Sequence, residues 1–435
     1  MSFRQHLVIP NHSGTHILLI ENRSGWMLPR VLADEDWARV EGAQSWGRDR
    51  LGLDIAILRC AFVEYDGADQ ESGDAFLFAE FLGGGTPLSG SWCNEEATSA
   101  RLGSERERAV THQWFTEERE GRPRALPPWG YPGWYAGACG WIETTLPGVV
   151  GVEQWSTWSV SSILRAQTAA GRYYFKAAPT GFRHEATVTS MLAERFPGAI
   201  PAPVAIDAER GWLLTEDFGD ELAAGRGASV GDGAVDALVA LQRRSVASVD
   251  ALLEGGCADR RPAVLQTQIA DLVEDGSTWL SSEMHGRLRA ASPRIAALCE
   301  EVANQRIPNT LVHGDFHGWN VALSGGRYLI FDWTDACIAH PFFDMAVILR
   351  NVEHSSVDPA LRDRWRDRYL DGWRDFVDRE EAIRLFERTE PIAAMHQAIS
   401  YRSLLSSMDP SELWQFGSAL EDWVIRALDA LAMTT

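Results

Sequence analysis

The sequence predicts an α+β chain of more than one domain, and three observations carry that expectation. At 435 residues it exceeds what a single hydrophobic core serves, so two or three domains are expected. Strand-like runs recur up to about residue 220. Beyond Asp220 the apolar residues fall into helical stripes, Leu361, Trp365, Tyr369, Trp373 and Phe376 in one and Ala394, Ala398, Tyr401 and Leu405 in another.

In chain order, residues 16–21, 57–65 and 76–82 read as strands and residues 35–50 as a helix, an α/β pattern. Residues 117–132 (EEREGRPRALPPWGYP) are charged and then rich in Pro and Gly, the composition of a linker. The organisation expected is therefore residues 1–125, a linker at 126–137, a strand-rich part at 138–220 and a helical part at 221–435. RYYFKA at 172–177 reads as a strand carrying one lysine, Lys176. The helix expected over 182–196 puts Glu185 on the same face as Val188 and Leu192. A buried carboxylate needs a partner, and Lys176 is the natural one. Residues 212–214 form a further strand, and Asp409, Pro410, Ser411 and Glu412 have the chemistry of a helix start.

Residues 311–344 (LVHGDFHGWNVALSGGRYLIFDWTDACIAHPFFD) are the most informative stretch. Leu311 and Val312 feed His313, Gly314 and Asp315, so Asp315 belongs where a short strand turns into a loop. Asn320 follows five residues on, and the apolar run 328–331 ends on Asp332. Ser324, Gly325 and Gly326 are turn residues, so the segments at 311–312 and 328–331 are expected to pair as a hairpin. Two acids and an amide at this spacing suit phosphoryl transfer. Asn320 offers a neutral and Asp332 a charged oxygen to a hard cation, Mg2+, while Asp315 can orient and deprotonate an alcohol.

HGDFHGWN, IFDWTDA and HPFFD together resemble the aminoglycoside phosphotransferase and choline kinase-like superfamily. The resemblance implies a bilobal protein-kinase-like fold with a small β-rich N-lobe and a helical C-lobe, using ATP or GTP with Mg2+ and phosphorylating a small-molecule hydroxyl acceptor. It implies that Asp315 is catalytic, Asn320 and Asp332 bind metal, and Asp344 structures the following loop, with Asp335 at a common acidic position. It also implies that Lys176 and Glu185 position the α- and β-phosphates. Residues 154–168 (QWSTWSVSSILRAQT) stand where the phosphate-covering loop belongs, with Ser159, Ser161 and Ser162 as candidate contacts in place of glycines. Glu216 to Phe218 stand at the adenine-facing linker. Trp319 and Trp333 are expected to line or back the cleft, and Trp414, Glu421 and Asp422 are candidate acceptor contacts. A protein kinase is the rival reading, yet only residues 333–343 separate Asp332 from Asp344, too few for an activation segment. A non-catalytic nucleotide-binding module would be expected to lack one of these groups, and none is missing.

GWMLP at 25–29 and DRLGLDI at 49–55 resemble the ends of the pyrophosphatase box of Nudix domains. With the last box glycine on Gly52, Asp49 and Arg50 stand on the paired glutamates, Ser45 and Trp46 on the Arg-Glu pair, and Trp37 on the first glutamate. Only Asp49 could hold a cation, so the resemblance implies a degenerate α/β Nudix-like domain kept as a cap, accessory binder or homodimer interface.

The formal net charge of −21 disfavours nucleic-acid partners and is compatible with a cationic substrate. The six cysteines show no metal-ligand spacing. No leader or membrane-length apolar run stands in the sequence, so the cytoplasm, away from any membrane, is the expected location.

Overall fold

The computed structural model describes residues 2–33, 36–67, 70–219, 222, 231–354 and 360–434, with the backbone alone for 351–354. The chain packs as two compact units. One comprises Met1–Thr180, Trp212–Glu216 and Ser407–Gln415; the other comprises Gly181–Gly211, Asp217–Ser406 and Phe416–Thr435. Asp220, where the strand-rich part was expected to end, lies outside the described residues.

The first unit opens with β1 (Ser2–Val8), β2 (Ile17–Asn22), β3 (Gly25–Met27), β4 (Arg30–Ala33), α1 (Glu41–Trp46), β5 (Leu53–Tyr65), β6 (Ser72–Gly84), β7 (Ser91–Cys93), α2 (Glu95–Arg101) and α3 (Glu105–Glu120). A sheet ordered β4-β1-β6-β5, with β1 and β6 parallel, stands beside a smaller one ordered β3-β2-β7. Strand β6 shows why residues here read as a continuous apolar run. Ala75, Leu77 and Ala79 face one core with Trp37, Val40 and Ala43, while Phe76 and Phe78 face a second with Val110 and Trp114 of α3. Both faces are covered, so alternation disappears.

The helix expected over 35–50 is shorter than its periodicity suggests; Glu35 lies outside the described residues. Only Glu41–Trp46 is α-helical, followed by a π-turn at Gly47–Leu51 that Gly52 ends at φ 69°. Tertiary pairing captures the residues before it. The Val40 N–H donates to the Trp155 carbonyl at 3.2 Å, and the Thr157 N–H donates to the Ala38 carbonyl at 2.9 Å.

These partners belong to the second sheet of the same unit. After α4 (Trp134–Thr145) come β8 (Val149–Trp158), β9 (Ser161–Thr168), β10 (Arg172–Ala177) and β12 (Trp212–Glu216), neighbours in the order β12-β10-β9-β8. Residues 154–168, expected as a loop, are therefore mostly a hairpin whose turn is Ser159 and Val160, with Trp158 opposite Ser161. Its outer strand β8 is sealed by the N-terminal region. The fully buried Gln154 side chain accepts from the Ile57 N–H at 2.6 Å and donates to the Ile57 carbonyl at 2.8 Å, and Gln44 Oε1 accepts the Gln154 N–H at 2.7 Å. A glutamine here completes the pairing that a neighbouring strand would supply. The linker-like 117–132 segment is also partly packed: Leu126 and Trp129 are buried.

The second unit contains α5 (His184–Arg195), β11 (Pro203–Asp207), α6 (Asp232–Ser245), α7 (Val249–Glu254), β13 (Ala258–Asp259), α8 (Pro262–Asp275), α9 (Ser282–Ala303), β14 (Thr310–Val312), β15 (Val321–Ser324), β16 (Arg327–Ile330), β17 (Cys337–Ala339), α10 (Asp344–His354), α11 (Ala360–Asp371), α12 (Arg379–Ser406) and α13 (Ala419–Met433). The expected stripes are core, with Trp365, Tyr369, Trp373, Ala394 and Ala398 in one cluster. One pairing differs from expectation. Gly325 and Gly326, at φ 55° and 76°, close a two-residue turn between β15 and β16, whereas β14 pairs with β17. The turn chemistry was right and its upstream strand begins at Val321, since left-handed glycines connect immediate neighbours.

Two anchors fix the loop after β14. Asp344, with no exposed surface, accepts from the Gly314 N–H at 2.9 Å, the His313 N–H at 3.1 Å and the Gln242 amide at 2.8 Å. Gln242 in turn accepts from the Tyr369 hydroxyl at 2.5 Å. From the other side the Gln397 amide of α12 donates to the Gly314 carbonyl at 2.6 Å. Gly314 itself is obligatory: at φ 85° an added Cβ would stand 2.6 Å from the Asp335 carbonyl.

Replacing Gln154 by leucine strands the Ile57 N–H and carbonyl in an apolar seam and is expected to destabilise the protein by about 2–4 kcal/mol in urea unfolding. Wild-type stability would show that the seam carries no weight. Asp344→Ala removes the acceptor for three buried donors and is expected to cost about 3–5 kcal/mol, with Asp344→Asn costing less. Equal losses in the two variants would refute the bonding role assigned to the carboxylate.

Candidate active site

Asp315 follows β14 directly because that strand is three residues long and Gly314 reverses the chain. Its carboxylate, 49% exposed, is the acceptor of a 3.2 Å bond from His317 Nε2. In the neutral ring His317 Nδ1 takes the Trp319 N–H at 3.2 Å and the proton stands on Nε2, so Nε2 faces Asp315 as a donor whether the ring is neutral or charged. Burial alone would push the Asp315 pKa up; the His317 bond and charge outweigh it and hold the carboxylate below its ordinary value. His317 is matched to it: burial opposes its charge, but the Asp315 bond and charge prevail and its pKa is raised. A group kept ionised and half open to solvent can accept a proton from an alcohol.

Asn320 is held by the same loop. Its amide nitrogen donates to the Asp315 carbonyl at 3.1 Å, which turns Oδ1 to the other side, and its carbonyl accepts the Phe331 N–H at 3.0 Å. That last bond continues the β15 and β16 ladder, where Val321 faces Ile330, and sets Asn320 one rung from Asp332. Asp332 adopts φ 65°, a left-handed conformation that a non-glycine residue adopts only when its surroundings enforce it. Thr334 Oγ1 donates to its Oδ1 at 2.8 Å. The fully buried His313 braces the two halves: its Nδ1 accepts the Asp315 N–H at 3.2 Å, so Nε2 carries the proton to the Phe331 carbonyl at 2.9 Å. Burial pushes the His313 pKa down, in keeping with this neutral state.

Asn320 Oδ1 and the Asp332 carboxylate are hard oxygen donors of the kind Mg2+ accepts, and a cation that keeps several waters needs no more than one or two protein groups. Among the described residues no group of three or more His, Cys, Asp or Glu side chains is arranged to hold a metal.

The structure thus brings Asp315, Asn320 and Asp332 together, with Asp344 beneath them. Phe218 packs its ring 4.9 Å from that of Phe331, beside Asp332. Glu185 is 2% exposed in the first turn of α5, on the buried face its spacing predicts. Lys176 lies in β10 of the first unit, opposite Ile163 and Leu213, and Glu216 is the exposed end of β12. Ser159, Ser161 and Ser162 are buried in the first unit, each already partnered. Ser159 donates to Gln415 at 2.7 Å, Ser161 Oγ accepts from the Trp158 indole at 2.8 Å, and Ser162 bonds Thr157 at 3.1 Å. Trp333 is fully buried with its ring 4.6 Å from His313, while Trp319 is 62% exposed. The candidate acceptor contacts have partners of their own. Glu421 accepts from the Ser281 hydroxyl at 2.6 Å, Asp422 from Ser418 at 2.9 Å, and Trp414 packs 5.5 Å from Trp37 in the first unit.

Two histidines escaped the sequence reading. His317 stands two residues after Asp315 and three before Asn320, a spacing that could have flagged it. His184 donates to the Thr334 carbonyl at 3.0 Å and ties α5 to the loop carrying Asp332; no local pattern marks it.

Comparison with known proteins follows the same lines. Residues 153–386 match the model of the phosphotransferase enzyme family, APH. Among solved structures the chain is similar to the choline kinase LicA from Streptococcus pneumoniae, at 15% identity over 69% of this chain and 99% of that one, with a TM-score of 0.48. Plasmodium vivax ethanolamine kinase is 13% identical over 78% and 92%, with a TM-score of 0.49. The macrolide 2'-phosphotransferase MphH from Brachybacterium faecium is 15% identical over 67% and 98%, with a TM-score of 0.45. No curated protein matches. With the family model spanning more than half of its residues and the Asp315, Asn320 and Asp332 cluster inside that span, the chain belongs to the phosphotransferase enzyme family.

Proposed function

We propose that the chain transfers the γ-phosphate of ATP or GTP to a hydroxyl of a small molecule: an aminoglycoside, an amino sugar, another natural product or an amino alcohol. The observation that supports this most is the clustering of Asp315, Asn320 and Asp332 on one braced loop and hairpin. In the reaction the acceptor oxygen bonds to the γ-phosphorus as the bond from that phosphorus to the β,γ-bridging oxygen breaks. Asp315 takes the hydroxyl proton, and the nucleoside diphosphate leaves. Its depressed pKa keeps it ready as an acceptor while His317 orients it. Asn320 and Asp332 would hold Mg2+, which supplies neutralising charge at the phosphate oxygens. Lys176 and Glu185 would serve the α- and β-phosphates, with Glu216 and Phe218 flanking the base.

Residues 138–220 and 221–435 are read as the two lobes. The first 125 residues are read as a Nudix-like fold without hydrolytic chemistry. Trp37 is buried in the core and Asp49 stands exposed among Arg48 and Arg50, so the carboxylate set that activates water for pyrophosphate cleavage is missing there.

Two substitutions separate chemistry from metal binding, once an acceptor is found by screening amino sugars, aminoglycosides, nucleoside antibiotics and amino alcohols. Asp315→Asn is expected to lower turnover by about 10²–10⁴-fold while Mg-nucleotide still binds, the usual range for a general base. Asp332→Ala should lose Mg-dependent nucleotide affinity as well as rate. Unchanged Mg-nucleotide binding in the second variant would remove Asp332 from the metal site. For the N-terminal region, the intact protein is expected to show no Mg2+-dependent hydrolysis of nucleoside diphosphate derivatives. Hydrolysis abolished by Asp49→Ala would overturn that assignment.

A further inference from the structure

We propose that Gln415 is a positioning residue for the nucleotide, fixing through Ser159 the turn that covers the phosphates. The inference rests on the nucleotide reading above. Gln415 Oε1 accepts both the Ser159 N–H, at 3.2 Å, and the Ser159 hydroxyl, at 2.7 Å. Its amide nitrogen donates to Glu412 Oε2 at 2.5 Å, and Glu412 Oε1 accepts from Arg59 Nη1 at 3.1 Å. Arg59, 2% exposed, reaches on to Glu117 of α3. The turn is thus tied through Gln415 and Glu412 to the sheet that carries Arg59.

The rest of the turn is equally engaged. The Trp158 carbonyl accepts from the Trp129 indole at 2.8 Å, and Ser161 and Ser162 have the partners described above. No glycine occurs from residue 152 to residue 170. Ser159 spends both its N–H and its hydroxyl proton on Gln415, so whatever the turn offers a phosphate comes from the residues after Ser159, where Ser161 Oγ accepts from Trp158 and keeps its own proton to donate. A turn fixed beforehand costs no ordering when the ligand binds, and one set loose does. Loss of the Gln415 bonds should therefore weaken nucleotide affinity through the turn and leave Asp315, Asn320 and Asp332 as they are.

The relay has a chemical signature that a purely structural role lacks. Gln415→Glu sets two carboxylates face to face and breaks the bond to Glu412. The exchange Glu412→Gln with Gln415→Glu restores it with direction reversed: the new amide donates to the new carboxylate, whose other oxygen still accepts from Ser159, while the amide oxygen still accepts from Arg59. Net charge is unchanged. The experiment is calorimetric titration of the full chain with Mg2+ and adenylyl or guanylyl imidodiphosphate, whichever the wild type binds, beside thermal melts of the nucleotide-free proteins. Gln415→Glu is expected to weaken binding by about tenfold and the exchange to return it to within about twofold of wild type, the scale of a disrupted and a restored hydrogen-bond relay. Folded Gln415→Glu binding like wild type, or a folded exchange variant as weak as the single one, overturns the inference. Should Gln415→Glu not fold, Ser159→Ala, which keeps the main-chain bond, is expected to lose about threefold on the scale of one neutral hydrogen bond, and unchanged affinity there overturns it too. A wild type that binds no Mg-nucleotide sinks the nucleotide reading itself, a result distinct from any variant that matches a wild type that binds.

Discussion

A buried carboxylate underlies the loop that carries Asp315. Asp344 has no exposed surface, and its two oxygens take N–H groups from His313, Gly314 and Gln242. A charge withdrawn from water this fully is tolerated only with donors aimed at it, and these donors come from the turn that must be shaped. The same contact joins the first residue of α10 to the end of β14, and through Gln242 and Tyr369 it reaches α6 and α11. The loop that carries Asp315 is thus shaped by a carboxylate wholly beneath the surface.

The first unit solves a similar problem with amides. Strand β8 is the last of its sheet, and the open main-chain groups of such a strand invite pairing with another molecule. Residues 38–40 and the side chain of Gln44 occupy those groups instead, and the Gln154 side chain reaches out to pair with the Ile57 main chain. A glutamine presents a donor and an acceptor at the spacing of a peptide unit, and so stands in for one rung of a ladder.

What could be read from the sequence was whatever its neighbours in sequence determine. The order of HGDFHGWN and the Asp332 strand located the cluster of Asp315, Asn320 and Asp332, the 172–177 strand came out at its exact bounds, and the spacing of Glu185 gave its burial. Where distant residues decide, the pattern misled. The 35–50 helix lost its first turns to pairing with β8, and β14 found β17 in place of the strand after the Gly turn. The partners of the three serines could not be read at all, because a hydroxyl's partner is invisible in sequence; Gln415 lies 256 residues from Ser159. Composition likewise marked 117–132 as a linker, although Leu126 and Trp129 are core residues.

The membership of Ser407–Gln415 in the first unit bears on how the chain is made. Arg59, buried in β5, meets its Glu412 partner across 353 residues of sequence. At ribosomal rates of about 5–20 residues per second, that partner emerges on the order of 20–70 s later. Until then the N-terminal sheet holds a guanidinium whose counter-charge is incomplete, and its final closure waits for nearly the whole chain. Such long-range contacts slow folding, and they keep the first unit unfinished until most of the second has been synthesised.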